Sequence, residues 1–337
     1  MKTFEHGGQI EKFALELGCN VSEIIDLSSN INFVKPQINI DFNTLDISNY
    51  PIYDSLYEKI ALNYEVKKDE IELFNGGSSA IFTLFRHLSL DSCTIYSPAY
   101  LEYKKAALNF GYKLNLINRF ENLDVEVKKN SLVIFVNPST PDGKYYELEE
   151  LMKKWIENSC TILIDESFID FCDKPSAIEY LKTYDKLYIL KSMTKFYSCA
   201  GIRIGTIISS KENIEKLKEF EAMWKISQFD SMYLQNALDD KVFKIVSQKV
   251  NEKNRMELES ILKESNFIDE IFPTNANFIL IKLKNIRAKE FIELLKPYKI
   301  MVRDCSNFDY LDDRFIRVAV KSSDANDLLR RALKHIC

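Results

Sequence analysis

Glycine is scarce in this chain, with nine among 337 residues, and so are histidine, with three, and tryptophan, with two. No Cys-x-x-Cys spacing occurs and the three histidines form no cluster, so a zinc site is not expected. The seven cysteines (Cys19, Cys93, Cys160, Cys172, Cys199, Cys305 and Cys337) are odd in number and scattered. That argues against a disulfide framework and fits a reducing cytoplasm. Long hydrophobic runs are missing too. No stretch approaches the roughly 20 apolar residues of a membrane span, and the opening MKTFEHGGQIEKF has no signal-peptide apolar region. The net charge is −5 without any basic block, so nucleic acid is not an expected partner. There is no Gly-x-Gly-x-x-Gly, hence no dinucleotide fingerprint.

What is present is an ordinary globular balance, 46% apolar and 28% charged, in a chain long enough for two subdomains. Short apolar runs alternate with helical patterns, which predicts an α/β sheet domain. Ser131–Val136 is a near-continuous apolar run of the kind buried on both faces of a sheet. Helices are expected near 10–17, 55–63, 145–157 and 211–222, and from 231 to about 265.

The most informative stretch is Lys191 to Gly205. It follows an apolar run, Leu187 to Leu190, and sets Ser192, Lys195 and Arg203 at fixed offsets. A hydroxyl and a guanidinium bind a phosphate, while an amine condenses with an aldehyde. Together they predict a pyridoxal 5′-phosphate (PLP) site with Lys195 as the Schiff-base lysine. Ser192-x-x-Lys195 also matches the S-x-x-K of penicillin-binding acyl enzymes, but no S-D-N or K-T-G accompanies it. Asn75-Gly76-Gly77-Ser78 sits between a strand end and a helix start, where free amides favour an anion. Gly76, Gly77 and Ser78 are therefore candidates for the cofactor phosphate. Asp165 ends the apolar run Thr161–Ile164. A buried carboxylate there needs a cation, and the protonated pyridine nitrogen is one. Five of the nine glycines (Gly76, Gly77, Gly143, Gly201, Gly205) fall in three segments assigned to the cofactor.

The lysine segment, S-M-T-K-F-Y-x(3)-G-I-R-I-G, resembles that of fold-type I PLP enzymes of the class I/II aminotransferase superfamily. Asn137-Pro138-Ser139-Thr140-Pro141-Asp142-Gly143 is similar to the N-P-x-x-P-x-G marker of the same superfamily. The resemblance narrows at His6-Gly7-Gly8, Asp26-Leu27-Ser28-Ser29-Asn30-Ile31-Asn32, Asp165-Glu166-Ser167-Phe168-Ile169-Asp170-Phe171 and Arg303-Asp304-Cys305-Ser306-Asn307-Phe308. These look like the threonine-phosphate decarboxylase group, relatives of histidinol-phosphate aminotransferase. Where those relatives continue N-P-x-G-P, this chain has Asn32-Phe33-Val34-Lys35-Pro36.

The resemblance implies a seven-stranded, mostly parallel mixed sheet in a large domain over 40–225, with an arm over 1–39 joining a smaller α+β domain over 226–337. It implies that Asn137 donates to the phenolic oxygen of PLP and that an aromatic stacks on the ring, with Tyr100 preferred and Tyr103 the alternative. It implies that Tyr50 reaches the cofactor phosphate of a partner subunit, hence a homodimer. Arg317 would fork onto the substrate carboxylate and Arg303 would grip a substrate phosphate, with His6 and Asn32 as further substrate contacts. Aminotransferases commonly carry a Tyr where this chain has Phe168. The expected activity is decarboxylation of an O-phospho-L-amino acid, phosphothreonine or phosphoserine. The alternative is a histidinol-phosphate type of aminotransferase. A PLP-binding sensor without turnover would need a DNA-binding domain ahead of the PLP module, for which the chain has no room.

Overall fold

A computed structural model describes residues 8–336. Its large domain is built on a seven-stranded sheet in the order Ile71–Phe74, Gly205–Ser209, Leu187–Lys191, Thr161–Asp165, Leu132–Val136, Ser92–Ser97, Lys113–Asn118. Gly205–Ser209 runs antiparallel to both neighbours, and the other pairings are parallel. The expected mixed, mostly parallel sheet is therefore the observed one. The central strands are buried along nearly their whole length, with only Thr161 partly exposed, because helices cover both faces.

That topology decides where a site forms. The strands ending at Phe74, Ser97, Val136, Asp165 and Lys191 all deliver their carboxyl ends to one edge. In open α/β sheets ligands bind at this edge. Each strand is followed there by a segment singled out in the sequence.

The smaller domain holds a four-stranded antiparallel sheet in the order Arg303–Asp304, Phe315–Ala319, Phe278–Leu283, Ile268–Ile271. Ile25–Asp26 pairs with Ile300–Met301, so this part of the arm packs with that domain. Leu27 joins its core beside Leu258, Ile279, Ile316 and Leu329.

Three expectations shift. The helix expected from Tyr145 spans Glu149–Glu157. The amides of Tyr145 and Tyr146 are instead taken by the side chains of Asn275 and Asn137, at 3.0 and 2.9 Å. The long helix expected from 231 divides into Gln228–Asp239 and Phe243–Lys263. At the break, Asp240 accepts from the amides of Phe243 and Gln37, at 3.1 and 3.0 Å. The first of these helices packs on Asp54–Tyr64, and Ile226, Leu234, Leu238 and Phe243 belong to the large-domain core. The boundary expected at 225 thus moves into the start of Phe243–Lys263.

Gly205 lets the sheet meet the anion-binding turn. A Cβ there would lie 2.6 Å from the main-chain carbon of Gly76 and from the nitrogen of Gly77. At Gly201 nothing lies within 4 Å of an added Cβ. Gly205→Ala is therefore expected to cost about 1–3 kcal/mol of stability through overpacking against rigid backbone. Gly201→Ala should stay within about 0.5 kcal/mol of wild type. Urea unfolding of the two variants checks the contrast.

Candidate active site

The carboxyl edge of the sheet opens into a cavity of about 400 Å³, walled by both domains. Lys195 lies in the short helix Met193–Phe196, directly after the Leu187–Lys191 strand. Its Nζ donates to Ser192 Oγ at 3.1 Å and sits 5.3 Å from the centre of the Phe168 ring. Burial pulls the ammonium pKa below the ordinary lysine value; Asp165 opposes that shift, while Arg203 and Arg317 add to it.

Asp165 ends its strand with a carboxylate only 4% exposed. Oδ2 accepts from the buried Tyr103 hydroxyl at 2.7 Å, and Oδ1 accepts from the amide of Ser167 at 2.9 Å and from its hydroxyl. All three donors are neutral. Among the described residues Asp165 takes part in no ion pair, although Glu166 beside it is bonded by the Lys191 ammonium. No described side-chain cation is hydrogen-bonded to this carboxylate, which lines the cavity.

The anion end is made by Gly77, Ser78, Ser192 and Arg203, which all line the cavity. The Gly76–Leu88 helix starts here and turns its first amides toward it. Gly76 backs the cavity instead of lining it. Its φ is +80°, and an added Cβ would stand 2.3 Å from Arg203 Nη2, so the missing side chain lets the guanidinium lie across the turn. Arg203 Nη1 also donates to the Ala200 carbonyl at 2.9 Å, and the residue is exposed on its outer side.

Tyr100 lines the cavity, with its hydroxyl 3.1 Å from Ser78 Oγ. Tyr103 lies behind it, edge-on at 6.2 Å between ring centres, committed to Asp165 and not part of the lining.

Two expected site residues, Asn137 and Asn32, are not among the described residues that line the cavity. Asn137 does not line the cavity. Its Nδ2 donates to the Tyr146 carbonyl and its Oδ1 accepts from the Tyr146 amide, both at 2.9 Å, so the side chain is taken up in fixing the loop. Thr140, three residues on, faces the cavity and accepts from Arg317 Nη1 at 3.1 Å. Asn32 is likewise structural. Its Nδ2 donates to the Phe196 carbonyl at 2.8 Å and to Ser247 Oγ at 2.6 Å, and its Oδ1 accepts from the Val34 amide at 3.1 Å. The preceding residues Ser28–Ile31 form that wall instead. His6 lies outside the described residues. Tyr50 does not line its own chain's cavity; it is 71% exposed and stacks on Trp224 at 4.2 Å.

Arg303 and Arg317 occupy facing positions on adjacent strands, and both line the cavity. Arg303 donates to Asn307 Oδ1 at 2.9 Å. Arg317 is 7% exposed, donates to the Ser28 carbonyl at 3.3 Å, and has a buried Nε with no partner among the described residues. Burial and the neighbouring Arg303 guanidinium both pull its pKa down. Sequence reasoning had passed over Thr140, Ser167 and Phe308 as lining residues, and Tyr103 as the partner of Asp165. The only signal for them was membership of motifs already noted.

An amine, a carboxylate without a cation and an amide-rich anion turn at one sheet edge define a PLP-enzyme architecture. The model of the aminotransferase class I and II family matches residues 25–336, and the chain belongs to that family. A protein of Caldanaerobacter subterraneus named "Putative threonine-phosphate decarboxylase" is 34% identical, over 99% of this chain and 94% of its own. The crystal structure of histidinol-phosphate aminotransferase from Clostridium acetobutylicum is 32% identical, with a TM-score of 0.81 over 92% of this chain and 98% of that one. The enzyme of that name from Sinorhizobium meliloti, solved with pyridoxal-5′-phosphate, shares the fold at 16% identity, with a TM-score of 0.83 over 98% and 95% of the two chains. The cofactor is pyridoxal 5′-phosphate, and the protein is a PLP-dependent enzyme. The residues fit it: Lys195 for the aldehyde, Asp165 for the ring nitrogen, and the Gly77–Ser78 turn with Ser192 and Arg203 for the phosphate.

A buried ammonium whose pKa is lowered on folding destabilises the fold fully at low pH. The penalty fades as pH rises toward the unfolded value of about 10.4. Lys195→Met in the cofactor-free protein should therefore raise the melting temperature at pH 7, by roughly 2 °C for each kcal/mol relieved. The advantage should shrink steadily up to about pH 10, as scanning calorimetry across that range would show.

Proposed function

We propose that the protein is a PLP-dependent decarboxylase of an O-phospho-L-amino acid, phosphothreonine or phosphoserine, releasing CO2 and the amino-alcohol phosphate. The carrying observation is the pair Arg303 and Arg317, in register on adjacent strands and both lining the cavity. Four cationic side chains (Lys195, Arg203, Arg303 and Arg317) line it, against Asp165 as the single carboxylate among the described lining residues. Arg203 and Asp165 are matched by the cofactor's phosphate and ring nitrogen. Arg303 and Arg317 are the other two guanidiniums on the wall, and two such forks suit a substrate carrying both a carboxylate and a phosphate.

Bound PLP supplies an electron sink that weakens the bonds at the substrate α-carbon. The chain's residues select which of those bonds breaks. Lys195 would hold the aldehyde group through Nζ, and its amine is placed to carry a proton at that atom. Arg317 would grip the carboxylate bidentately and Arg303 the phosphate, fixing the substrate at two ends and so selecting which α-carbon bond is weakened. Tyr100, on the cavity wall, would cover the ring. The Caldanaerobacter relative's name and the Phe168 motif support decarboxylation. Likeness to histidinol-phosphate aminotransferase supports the second reading, amine transfer to an oxoacid.

A homodimer goes with this reading. Ile47, Tyr50, Ile52, Met223 and Trp224 are 64%, 71%, 78%, 72% and 48% exposed, and Tyr50 stacks on Trp224. A second copy would bury this apolar surface and bring Tyr50 toward the neighbouring cofactor phosphate. A cytoplasmic setting fits the six described cysteines, all free.

PLP-loaded protein incubated with O-phosphothreonine or O-phosphoserine is expected to release CO2 without an oxoacid. Consumption of 2-oxoglutarate with no CO2 would establish the second reading instead. Arg303→Ala should raise KM for the phosphorylated substrate roughly 10- to 100-fold, the contribution of one or two charged hydrogen bonds. Light scattering should give twice the chain mass, and Tyr50→Asp should lower both that mass and the affinity for PLP.

A further inference from the structure

Asp165 and Ser192 each have a charged neighbour in the chain that turns away from the cavity. Side chains alternate across a strand, so the residue after Asp165 and the residue before Ser192 point to the opposite face of the sheet. These are Glu166 and Lys191. Neither lines the cavity, whereas Asp165 and Ser192 both do. Glu166 and Lys191 are each 2% exposed and form an ion pair. The pair sits at the last rung of the parallel ladder. There Asp165 stands opposite Leu190, and the Glu166 amide donates to the Leu190 carbonyl at 2.9 Å. Both carboxylate oxygens and the ammonium have further partners. Ser176 Oγ accepts from Lys191 Nζ at 3.3 Å and donates to Glu166 Oε2 at 2.6 Å, and the Ala177 amide donates to Oε1 at 2.6 Å. Lys191 Nζ also stands 4.6 Å from the centre of the Tyr64 ring, whose hydroxyl donates to Asp170 at 3.1 Å.

We propose that Glu166 and Lys191 are positioning residues for the cofactor: their buried pair fixes the spacing between Asp165 and Ser192, and with it the distance from the ring-nitrogen contact to the phosphate contact. The inference rests on the cofactor placement given above. Stability does not account for the pair. Burying two charges costs desolvation, and apolar side chains of similar volume are often as stable or more so. What the charged pair adds is one geometry. Apolar side chains pack over a range of offsets, whereas an ammonium held by a carboxylate, a hydroxyl and an aromatic face has a narrow choice of position. Asp165 and Ser192 need that definition, because they meet different ends of one rigid molecule. Ser192 leads directly into the short Met193–Phe196 helix, so the same clip sets where Lys195 stands. Outer contacts of this kind orient the residues that touch a bound group, and loosening them costs affinity and alignment.

The test separates position from stability. Lys191→Met, Glu166→Gln and the double variant are compared with wild type, both free of cofactor and loaded with PLP. Each single variant leaves one buried group unmatched and should melt well below wild type. The double variant should regain the wild-type melting temperature without PLP. Its PLP dissociation constant should nevertheless stay raised by roughly 10-fold, the lower end of what outer partners contribute at metal sites. The visible circular dichroism of the lysine-bound cofactor should change with it. Ser176→Ala keeps both charges and removes the hydroxyl they share, so it should move affinity and dichroism in the same direction by less. A double variant with wild-type affinity and dichroism overturns the inference while the cofactor reading stands. If the double variant does not fold, Ser176→Ala decides, and wild-type values there overturn the inference. A wild-type protein that forms no lysine-bound band overturns the cofactor reading itself, and this inference with it.

Discussion

Two carboxylates, Asp165 and Glu166, end one central strand, and the site depends on how differently they are neutralised. Glu166 is matched inside the protein. Lys191 from the next strand bonds it, and Ser176 Oγ and the Ala177 amide each donate to it at 2.6 Å. Asp165 receives only neutral donors, from Tyr103 and Ser167. Burying a carboxylate without a countercharge is costly, and hydrogen bonds to neutral groups offset part of that cost. Complete neutralisation needs a cation from outside the chain. A protonated pyridine ring would supply such a cation, and Tyr103 and Ser167 hold the carboxylate in place to meet it.

The rest of the edge is arranged under the same constraints of charge and space. Gly76, Gly77 and Gly205 touch where the antiparallel strand meets the anion turn, and this contact lets Arg203 cross the turn. A chain with so few glycines keeps them where backbone meets backbone. Lys195 follows the strand paired with the Asp165 strand, so amine and carboxylate stand on neighbouring strand ends fixed by parallel pairing. The ammonium is disfavoured by burial, a condition that suits an amine meant to act as a nucleophile.

The sheet was legible because buried parallel strands read as apolar runs, and Lys195, Asp165, Ser192 and Arg203 were legible because each follows such a run in a motif of fixed spacing. Asn137 lies off the cavity lining for a physical reason. The motif fixes the loop, but which side chain faces the cavity depends on the Tyr146 main chain, whose amide and carbonyl capture the asparagine. The same capture, with Asn275 on Tyr145, delays the following helix by four residues relative to the expected start at 145. Asn32 shows the same limit: its role is set by Ser247, 215 positions away, and no local pattern carries that. Tyr100 and Tyr103 share one helix start and one residue type, and only the third dimension separates the ring on the cavity from the hydroxyl on Asp165.

Placing the two cavity-lining arginines, Arg303 and Arg317, on neighbouring strands of the small domain, while Lys195 and Asp165 sit on the large one, has a mechanical consequence. A substrate of the proposed dianionic kind, held at both ends, would bridge the domains. The loop after Arg303 already spans the gap: Asp309 pairs with Lys104 at 2.7 Å, and the Tyr310 hydroxyl donates to the Leu116 carbonyl at 2.9 Å. Phe308, on the same loop, lines the cavity. On the proposed reading, binding energy from a substrate phosphate would act through a segment tied to both domains, and would be available to orient the α-carbon bonds and not merely to retain the substrate.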